Sequence, residues 1–298
     1  MGSEQLQIRM PDLGGRRGVV SDWVTQRWVQ ATGHRIDLSD HPWLDGPVGD
    51  VPVIGSGFFH RVAARQGLRI RTDGKPHGLL ENFRDLEGLK CQTHGCHPAV
   101  AQFYEQTSEF DLDVWSEWYG AFRPFGAALA AIFSRRLQQL NMPLSPLDTS
   151  GGLRSDLLQL EDATGSVKYT AWIREVASTG QILYASSYSV CTVPGFDARC
   201  VKVVFPLPNG NATVIMKAQT DEDGSFTLRS SGQRFGDPGF YFFVESSPGH
   251  GWARYVRTMR ETIRVFVDER EQLRANHDFE IWRTIFLRLH YRMRRKSG

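Results

Sequence analysis

The amino-acid sequence predicts an α+β protein in which an N-terminal helical layer packs on a large antiparallel sheet that is curved or barrel-like. From residue 155 to residue 281, apolar and polar side chains alternate in nine segments, as they do in half-buried strands. Turn residues such as Asn209-Gly210 join these segments by connections too short for parallel pairing. Helical spacing of apolar residues is found mainly before them.

Length and composition indicate a folded protein without a polyanionic partner. The chain has 298 residues, 41% of them hydrophobic and 23% charged, which suffices for one large or two small domains. The net charge of +2 and the scattered basic residues argue against nucleic-acid binding. The first ten residues are polar and no apolar run reaches the length of a membrane span. We therefore expect a cytoplasmic protein with reduced thiols and no membrane insertion.

Helical spacing divides the first half of the chain. It predicts helices over 19–31 and 57–66, a helical turn within 79–89, and a helix from Pro98. Leu112, Trp115 and Trp118 predict a second helix after Pro98, and residues 124–140 predict a third. We expect an irregular and helical region over 1–97, and a domain of helices and a cavity-forming sheet over 98–298.

The nine predicted strands form a meander that closes or wraps round a helix, because open edges on a long sheet invite aggregation. Residues 282–293 fit a helix and a strand equally well, and their periodicity leaves both open. The predicted strands cover 155–161, 167–176, 182–193, 200–206, 212–218, 226–230, 240–245, 261–268 and 273–281.

A predicted hairpin brings two catalytic candidates together. If the chain turns within 268–272, Ile263 pairs with His277, and Glu261 pairs with Phe279. Glu261 and His277 then become diagonal neighbours on one apolar face, where they could exchange a proton near neutral pH. An inert structural pair, or a register slipped by one residue that turns both outward, is the alternative.

Strand aromatics supply the substrate-binding candidates. Tyr184 and Tyr188 share a face with Ser186, while Tyr169 shares one with Ala171 and Ile173. Small residues beside tyrosines leave room for a ligand and offer hydroxyls to orient it, although core packing explains each residue singly. Arg254, next to Tyr255, could receive an anionic group.

The densest group of metal-ligand residues is Cys91, His94, Cys96 and His97. Four ligands within seven residues are too cramped for one tetrahedral site, so we interpret them as a loop before the helix at Pro98. A metal site completed from elsewhere and a covalent haem attachment are the alternatives. Cys191 and Cys200 flank a turn, where we expect reduced thiols facing each other. We predict neither a resident metal nor a cofactor.

Several segments resemble a family of uncharacterised bacterial proteins over residues 76–293. They are FYE at 103–105, LDVW at 112–115, FSRRLQQL at 133–140, KVVFPLPNGNAT at 202–213 and FGDPGFY at 235–241. In element order, the chain also resembles the START-type helix-grip superfamily, which includes polyketide cyclases and lipid-binding proteins. A lipocalin-like barrel would explain the same strand pattern. Fold resemblance implies a ligand cavity but assigns no activity.

These observations favour a cofactor-independent enzyme that acts on a small, partly apolar specialised metabolite by cyclisation, isomerisation or elimination. Glu261 and His277 would transfer protons, and Tyr184 and Tyr188 would orient the substrate. A non-catalytic carrier of a small molecule or lipid is the first alternative. A structural protein that uses aromatics such as Trp23, Trp28 and Trp43 as an interface, with a homo-dimer or another protein as partner, is the second.

Overall fold

The computed structural model describes residues 20–49, 57–119, 153–176 and 182–296. Its helices are α1 (Val20–Thr32), α2 (Phe58–Gln66) and α3 (Pro98–Glu105). Its strands are β1 (His34–Asp37), β2 (Arg69–Ile70), β3 (Phe110–Trp118), β4 (Leu153–Glu161), β5 (Val167–Val176), β6 (Ile182–Cys191), β7 (Cys200–Leu207), β8 (Gly210–Thr220), β9 (Phe226–Arg229), β10 (Phe240–Ser247), β11 (His250–Tyr255), β12 (Met259–Val267), β13 (Leu273–Ile281) and β14 (Thr284–Arg295).

These strands form one large antiparallel sheet. The main path runs in the order β2-β4-β5-β6-β7-β8-β9-β12-β13-β14-β3. The sheet divides at β8, because residues 210–214 pair with β10 while residues 217–220 pair with β9. From β10 the branch continues through β11 to β1. All nine predicted strands are confirmed, and their short connections produce the predicted antiparallel neighbours.

The sheet is curved but open, and its helical layer is smaller than predicted. In the described part of the chain, β2 and β3 are the two ends of the path and do not pair with each other. A closed, lipocalin-like barrel is therefore not confirmed. The helices predicted over 19–31 and 57–66 are confirmed, and Gly67 ends α2 in the left-handed conformation. The helix predicted over 124–140 lies outside the described residues.

Two segments differ from or resolve the sequence prediction. The predicted helix around Leu112 is wrong, because this segment is β3 and pairs with β14 from Phe110 to Trp118. The ambiguous segment 282–293 is strand, within β14. Trp282 and Arg283 form the two-residue turn before β14, and both have positive φ, as a type I′ hairpin requires.

The hairpin between β7 and β8 is also confirmed, with its loop one residue earlier than predicted. Leu207 pairs with Gly210, so the loop residues are Pro208 and Asn209. Asn209 takes the positive φ of 58°. Gly210 then enters β8 so close to the Phe243 backbone that a side chain would overlap with it.

Buried residues form separate clusters on the two sides of the sheet. The largest cluster joins residues 79–86 and α3 to the concave side, with Phe83 packed against Phe226. Elements before and after residue 97 thus share one core. On the other side, α2 covers β4, β5 and β6 through Phe58, Phe59 and Val62. A third cluster surrounds Trp43 beneath β10 and β11.

Candidate functional site

A cavity of about 560 Å³ lies on the concave side of the sheet. Helix α1 forms part of its wall through Trp28 and Val29, and Gln26 donates a hydrogen bond to Pro208 O at 3.0 Å. Strands from β5 round to β3, together with β10, contribute most of the wall, so the sheet curves around the space. Leu79 and α3, through Phe103 and Tyr104, complete it. Most lining side chains are apolar, among them Val114, Trp118, Trp172, Val203, Phe205, Phe240, Phe242, Met259, Ile263, Val265, Ala275, Phe279, Leu287, Leu289 and Met293.

Glu261 and His277 meet inside this cavity. Strands β12 and β13 have the predicted register, with Ile263 opposite His277 and Glu261 opposite Phe279. The Nε2 atom of His277 lies 3.2 Å from Oε2 of Glu261. Both side chains are largely buried, with 9% of Glu261 and 15% of His277 exposed. The His277 ring packs on Phe279 at a centroid distance of 4.0 Å. The predicted contact is confirmed, and its role in catalysis stays a prediction.

A second polar group lies on β5 and β6. The hydroxyls of Tyr184 and Tyr188 lie 2.9 Å apart, and both residues line the cavity as predicted from their shared face. Arg174 pairs with Tyr184 across the strands and also lines the cavity. Its Nη2 donates to Leu112 O at 3.2 Å. Burial raises the pKa of both tyrosines and lowers the pKa of Arg174, because each charged form is separated from water.

The other predicted substrate-binding residues lie elsewhere. Tyr169 faces α2 on the opposite side of β5, with its hydroxyl 3.4 Å from Oδ2 of Asp45. Alternation places Tyr169 with Ala171 and Ile173, as predicted, but it does not reveal which face is concave. Tyr255 is buried in the cluster around Trp43, on the branch of the sheet. Neither residue is part of the cavity lining.

Arg254 holds helix α1 instead of lining the cavity. Its Nη1 donates to Thr32 O at 2.6 Å, at the last turn of the helix. Its guanidinium also lies 5.8 Å from the ring centroid of Trp28. A cation at the C-terminal end of a helix satisfies a free carbonyl and complements the helix dipole. Arg254 therefore contributes to the site by positioning one of its walls.

The four residues of the cysteine and histidine cluster contact different partners. The Thr220 hydroxyl lies 3.2 Å from Cys96 Sγ and 3.8 Å from Cys91 Sγ. His97 caps α3 by accepting a hydrogen bond from the Ala99 amide, and His94 is exposed beside Glu87. Within the ranges that the structure describes, no three histidine, cysteine or acidic side chains are grouped to hold a metal ion.

Cys191 and Cys200 face each other directly on β6 and β7, as predicted. Both are free and buried. Burial raises the pKa of Cys200 to about 12 and that of Cys91 to about 11, which keeps these thiols protonated at neutral pH.

Sequence reasoning missed several polar residues of the cavity, among them Arg174 and Tyr291 on the sheet and Asp22, Thr25 and Gln26 on α1. Arg174 follows Trp172 by two positions on the same face of β5, so alternation with Trp172 could have placed it inside. Tyr291 belongs to β14, a segment whose periodicity fits a helix and a strand equally well. Burial raises the pKa of Tyr291 to about 12.

Comparison with known proteins gives one distant relative. The chain is 24% identical over 244 residues to a Bacillus subtilis (strain 168) protein named uncharacterized membrane protein YndJ. The match covers 80% of this chain but 41% of that protein, so the chain spans less than half of the relative's length. This agrees with a resemblance to uncharacterised bacterial proteins.

No protein-family model and no solved structure matches the chain. The START-type resemblance is therefore not supported by these comparisons. None of the helices in the described part of the chain has the length and apolar character of a membrane-spanning helix.

Proposed function

We propose that the concave side of the sheet binds an apolar small molecule, and that binding and carrying this molecule is the main role of the protein. The observation that carries the proposal is the cavity of about 560 Å³ with its predominantly apolar wall. Ligand pockets in proteins range over roughly 300–1,000 Å³ and combine apolar walls with a few polar groups. The cavity has this composition, with its polar groups confined to a few positions.

The polar groups favour a ligand with one polar end. The Glu261–His277 pair lies near the group of Arg174, Tyr184 and Tyr188, because Tyr291 interacts electrostatically with both Arg174 and Glu261. Apolar side chains make up most of the remaining lining, so the body of the ligand would be hydrocarbon. The relative is named a membrane protein. A lipid-like ligand that is taken from or delivered to a membrane fits both observations.

Titration with the neutral fluorescent probe N-phenyl-1-naphthylamine tests this function. We expect saturable fluorescence enhancement, and displacement by decan-1-ol and dodecan-1-ol. Because burying a methylene group stabilises by about 0.8 kcal/mol, each added carbon should tighten binding by about fourfold until the cavity is full.

A matched pair of variants locates the binding. Ala275→Phe adds a ring to the cavity wall between Val265 and Tyr291. Thr262→Phe adds the same ring on the opposite face of the adjacent strand, outside the cavity. We expect Ala275→Phe to weaken probe binding by about tenfold or more, equivalent to about 1.4 kcal/mol, and Thr262→Phe to leave it unchanged. Equal effects of the two variants would contradict binding in the cavity.

The second candidate function is cofactor-independent acid–base chemistry, favoured by the contact between Glu261 and His277. A carboxylate beside an imidazole in a water-poor cavity can move a proton to or from a bound substrate. The test is to extract the native ligand, incubate it with the protein and analyse it by mass spectrometry and NMR. A product formed by wild type and lost in both His277→Ala and Glu261→Gln supports this candidate, while unchanged ligand supports carriage.

A further inference from the structure

Arg174 is a buried cation inside an apolar cavity. Only 7% of the residue is exposed, and it lies beside Trp172, with its guanidinium 5.7 Å from that ring centroid. In the described part of the chain, its Nη2 bonds to the Leu112 carbonyl and its Nε has no hydrogen-bond partner. No acidic side chain among the described residues forms an ion pair or hydrogen bond with it.

The nearby acidic groups already have other partners. Glu261 lies against His277, and Asp113 binds Arg292 with its Oδ2 2.6 Å from Nη2. A guanidinium keeps its positive charge at all physiological pH values. Burying an ion without a counter-ion is expensive, so proteins pair buried charges or use them to bind charged ligands. Among the described residues, Arg174 therefore has no counter-ion, and it lies at the wall of a ligand cavity where a bound anion could supply one.

We propose that Arg174 binds the carboxylate of an apolar carboxylic acid, and that such an amphiphilic anion is the ligand class of the cavity. This inference rests on the proposed function, because it assigns the polar end of the same bound molecule. A guanidinium presents several donors in a planar fork that fits a carboxylate, and these hydrogen bonds are among the strongest in proteins.

The neighbouring tyrosines add hydroxyl donors at the same end of the cavity. Tyr184 lies directly opposite Arg174 in the strand pairing, and its hydroxyl is 2.9 Å from that of Tyr188. One hydroxyl donates to the other in this contact, which leaves the accepting hydroxyl with a proton to donate. Tyr291 also lines the cavity and lies close enough to Arg174 to interact with it electrostatically. The polar cluster therefore presents donors to an incoming carboxylate.

Two ligands of equal chain length separate the head group from the hydrocarbon. The affinities of dodecanoic acid and dodecan-1-ol for the full chain are to be measured by displacement of N-phenyl-1-naphthylamine at pH 8, where the acid is ionised. We expect wild type to bind the acid about tenfold or more tightly than the alcohol, as charge-assisted hydrogen bonds imply. Arg174→Met should abolish this preference by weakening the acid alone. Arg174→Lys, which keeps the charge but loses the fork, should retain part of it.

A convex-side arginine supplies the control. Arg264 is ion-paired with Asp223 outside the cavity, so Arg264→Met should keep the full preference for the acid. Replacing a buried unpaired cation by an apolar side chain of similar shape should not destabilise the fold, and thermal unfolding checks this. If Arg174→Met fails to fold, the ratio of acid to alcohol binding in wild type and in Arg174→Lys decides the question.

The outcomes distinguish the two proposals. Equal binding of acid and alcohol by wild type, or an acid preference that survives in Arg174→Met, would overturn the anion site and leave the apolar cavity standing. Failure of the probe and of both ligands to bind would overturn the proposed function and the anion site together. Loss of the acid preference in Arg174→Met alone supports both.

Discussion

The pair of Glu261 and His277 is expected to make the protein less stable than two apolar side chains in the same place would. Removing only one partner should nevertheless lower the stability, because it leaves the other unpaired. In His277→Ala, a carboxylate that is 9% exposed loses the imidazole partner at 3.2 Å. Removing one partner of a buried pair destabilises by about 3–5 kcal/mol, and the partial exposure of the histidine places this case near about 3 kcal/mol. At about 2 °C per kcal/mol for a chain of this size, the midpoint of unfolding should fall by roughly 6 °C.

Removing both partners should reverse that loss. In the double variant Glu261→Leu/His277→Leu, no unpaired charge remains and the new side chains extend an apolar wall. Such replacements are neutral or stabilising by about 1–4 kcal/mol, so we expect a midpoint at or above that of wild type.

Denaturant unfolding of wild type, both single variants and the double variant measures this as a cycle. The control is Arg264→Ala, which removes a partly exposed ion pair with Asp223 and should cost less than about 1 kcal/mol. A double variant that is less stable than either single variant would refute the reasoning, because the pair would then be a structural element. A double variant that is stable but has lost ligand binding or turnover would show that the pair serves the site.

Three further predictions concern the fold. Gly210→Ala should lower the free energy of unfolding by about 2 kcal/mol or more, because the added methyl group overlaps with the Phe243 backbone. In Gly57→Ala the methyl group meets only the flexible Arg61 side chain, so the same denaturant assay should show a change within about 0.5 kcal/mol. Backbone amides of the β12–β13 turn and Arg274 lower the pKa of Asp268. The contribution of Asp268 to stability is therefore present above its unfolded pKa of about 3.9 and is lost as the pH falls through its folded pKa. In thermal unfolding, Asp268→Asn should be less stable than wild type at pH 7 but not at pH 2. Iodoacetamide at pH 8 should label the cysteines only after unfolding, because burial raises the pKa of all four thiols. Labelling is measured by mass spectrometry. Rapid labelling of the native protein would contradict the buried positions of Cys91, Cys96, Cys191 and Cys200.

The sheet and one part of its site could be predicted from sequence because both depend on local pattern. Alternation identified nine strands, and short turns made neighbours antiparallel. For β12 and β13, a turn of known length determined the pairing, and pairing alone brought Glu261 to His277. Local periodicity and turn length contain this information without knowledge of the rest of the chain.

The parts that could not be predicted depend on which face of a strand is covered. Alternation puts Tyr169 and Trp172 on opposite faces of β5, but it does not say that α2 covers the face of Tyr169 and that the cavity lies on the face of Trp172. In β3, Leu112 and Trp118 face the cavity, while Trp115 lies on the other side and stacks on His290. Leu112, Trp115 and Trp118 together have the spacing of a helix, although they lie on both faces of a strand. The sequence of the partner strand β14 also fits a helix, so it does not correct this prediction. Segments distant in the sequence determine which face of a strand is covered, and local periodicity does not contain that information.

The central claim is that the curved sheet encloses space for an apolar guest. A crystal structure of the protein with 12-bromododecanoic acid tests it most directly, since the anomalous signal of bromine locates the end of the chain. We predict a bromine peak between the apolar side chains of β12, β13 and β14, with the carboxylate at Arg174. A cavity filled by its own side chains, and bromine found only on the outer surface, would contradict the account.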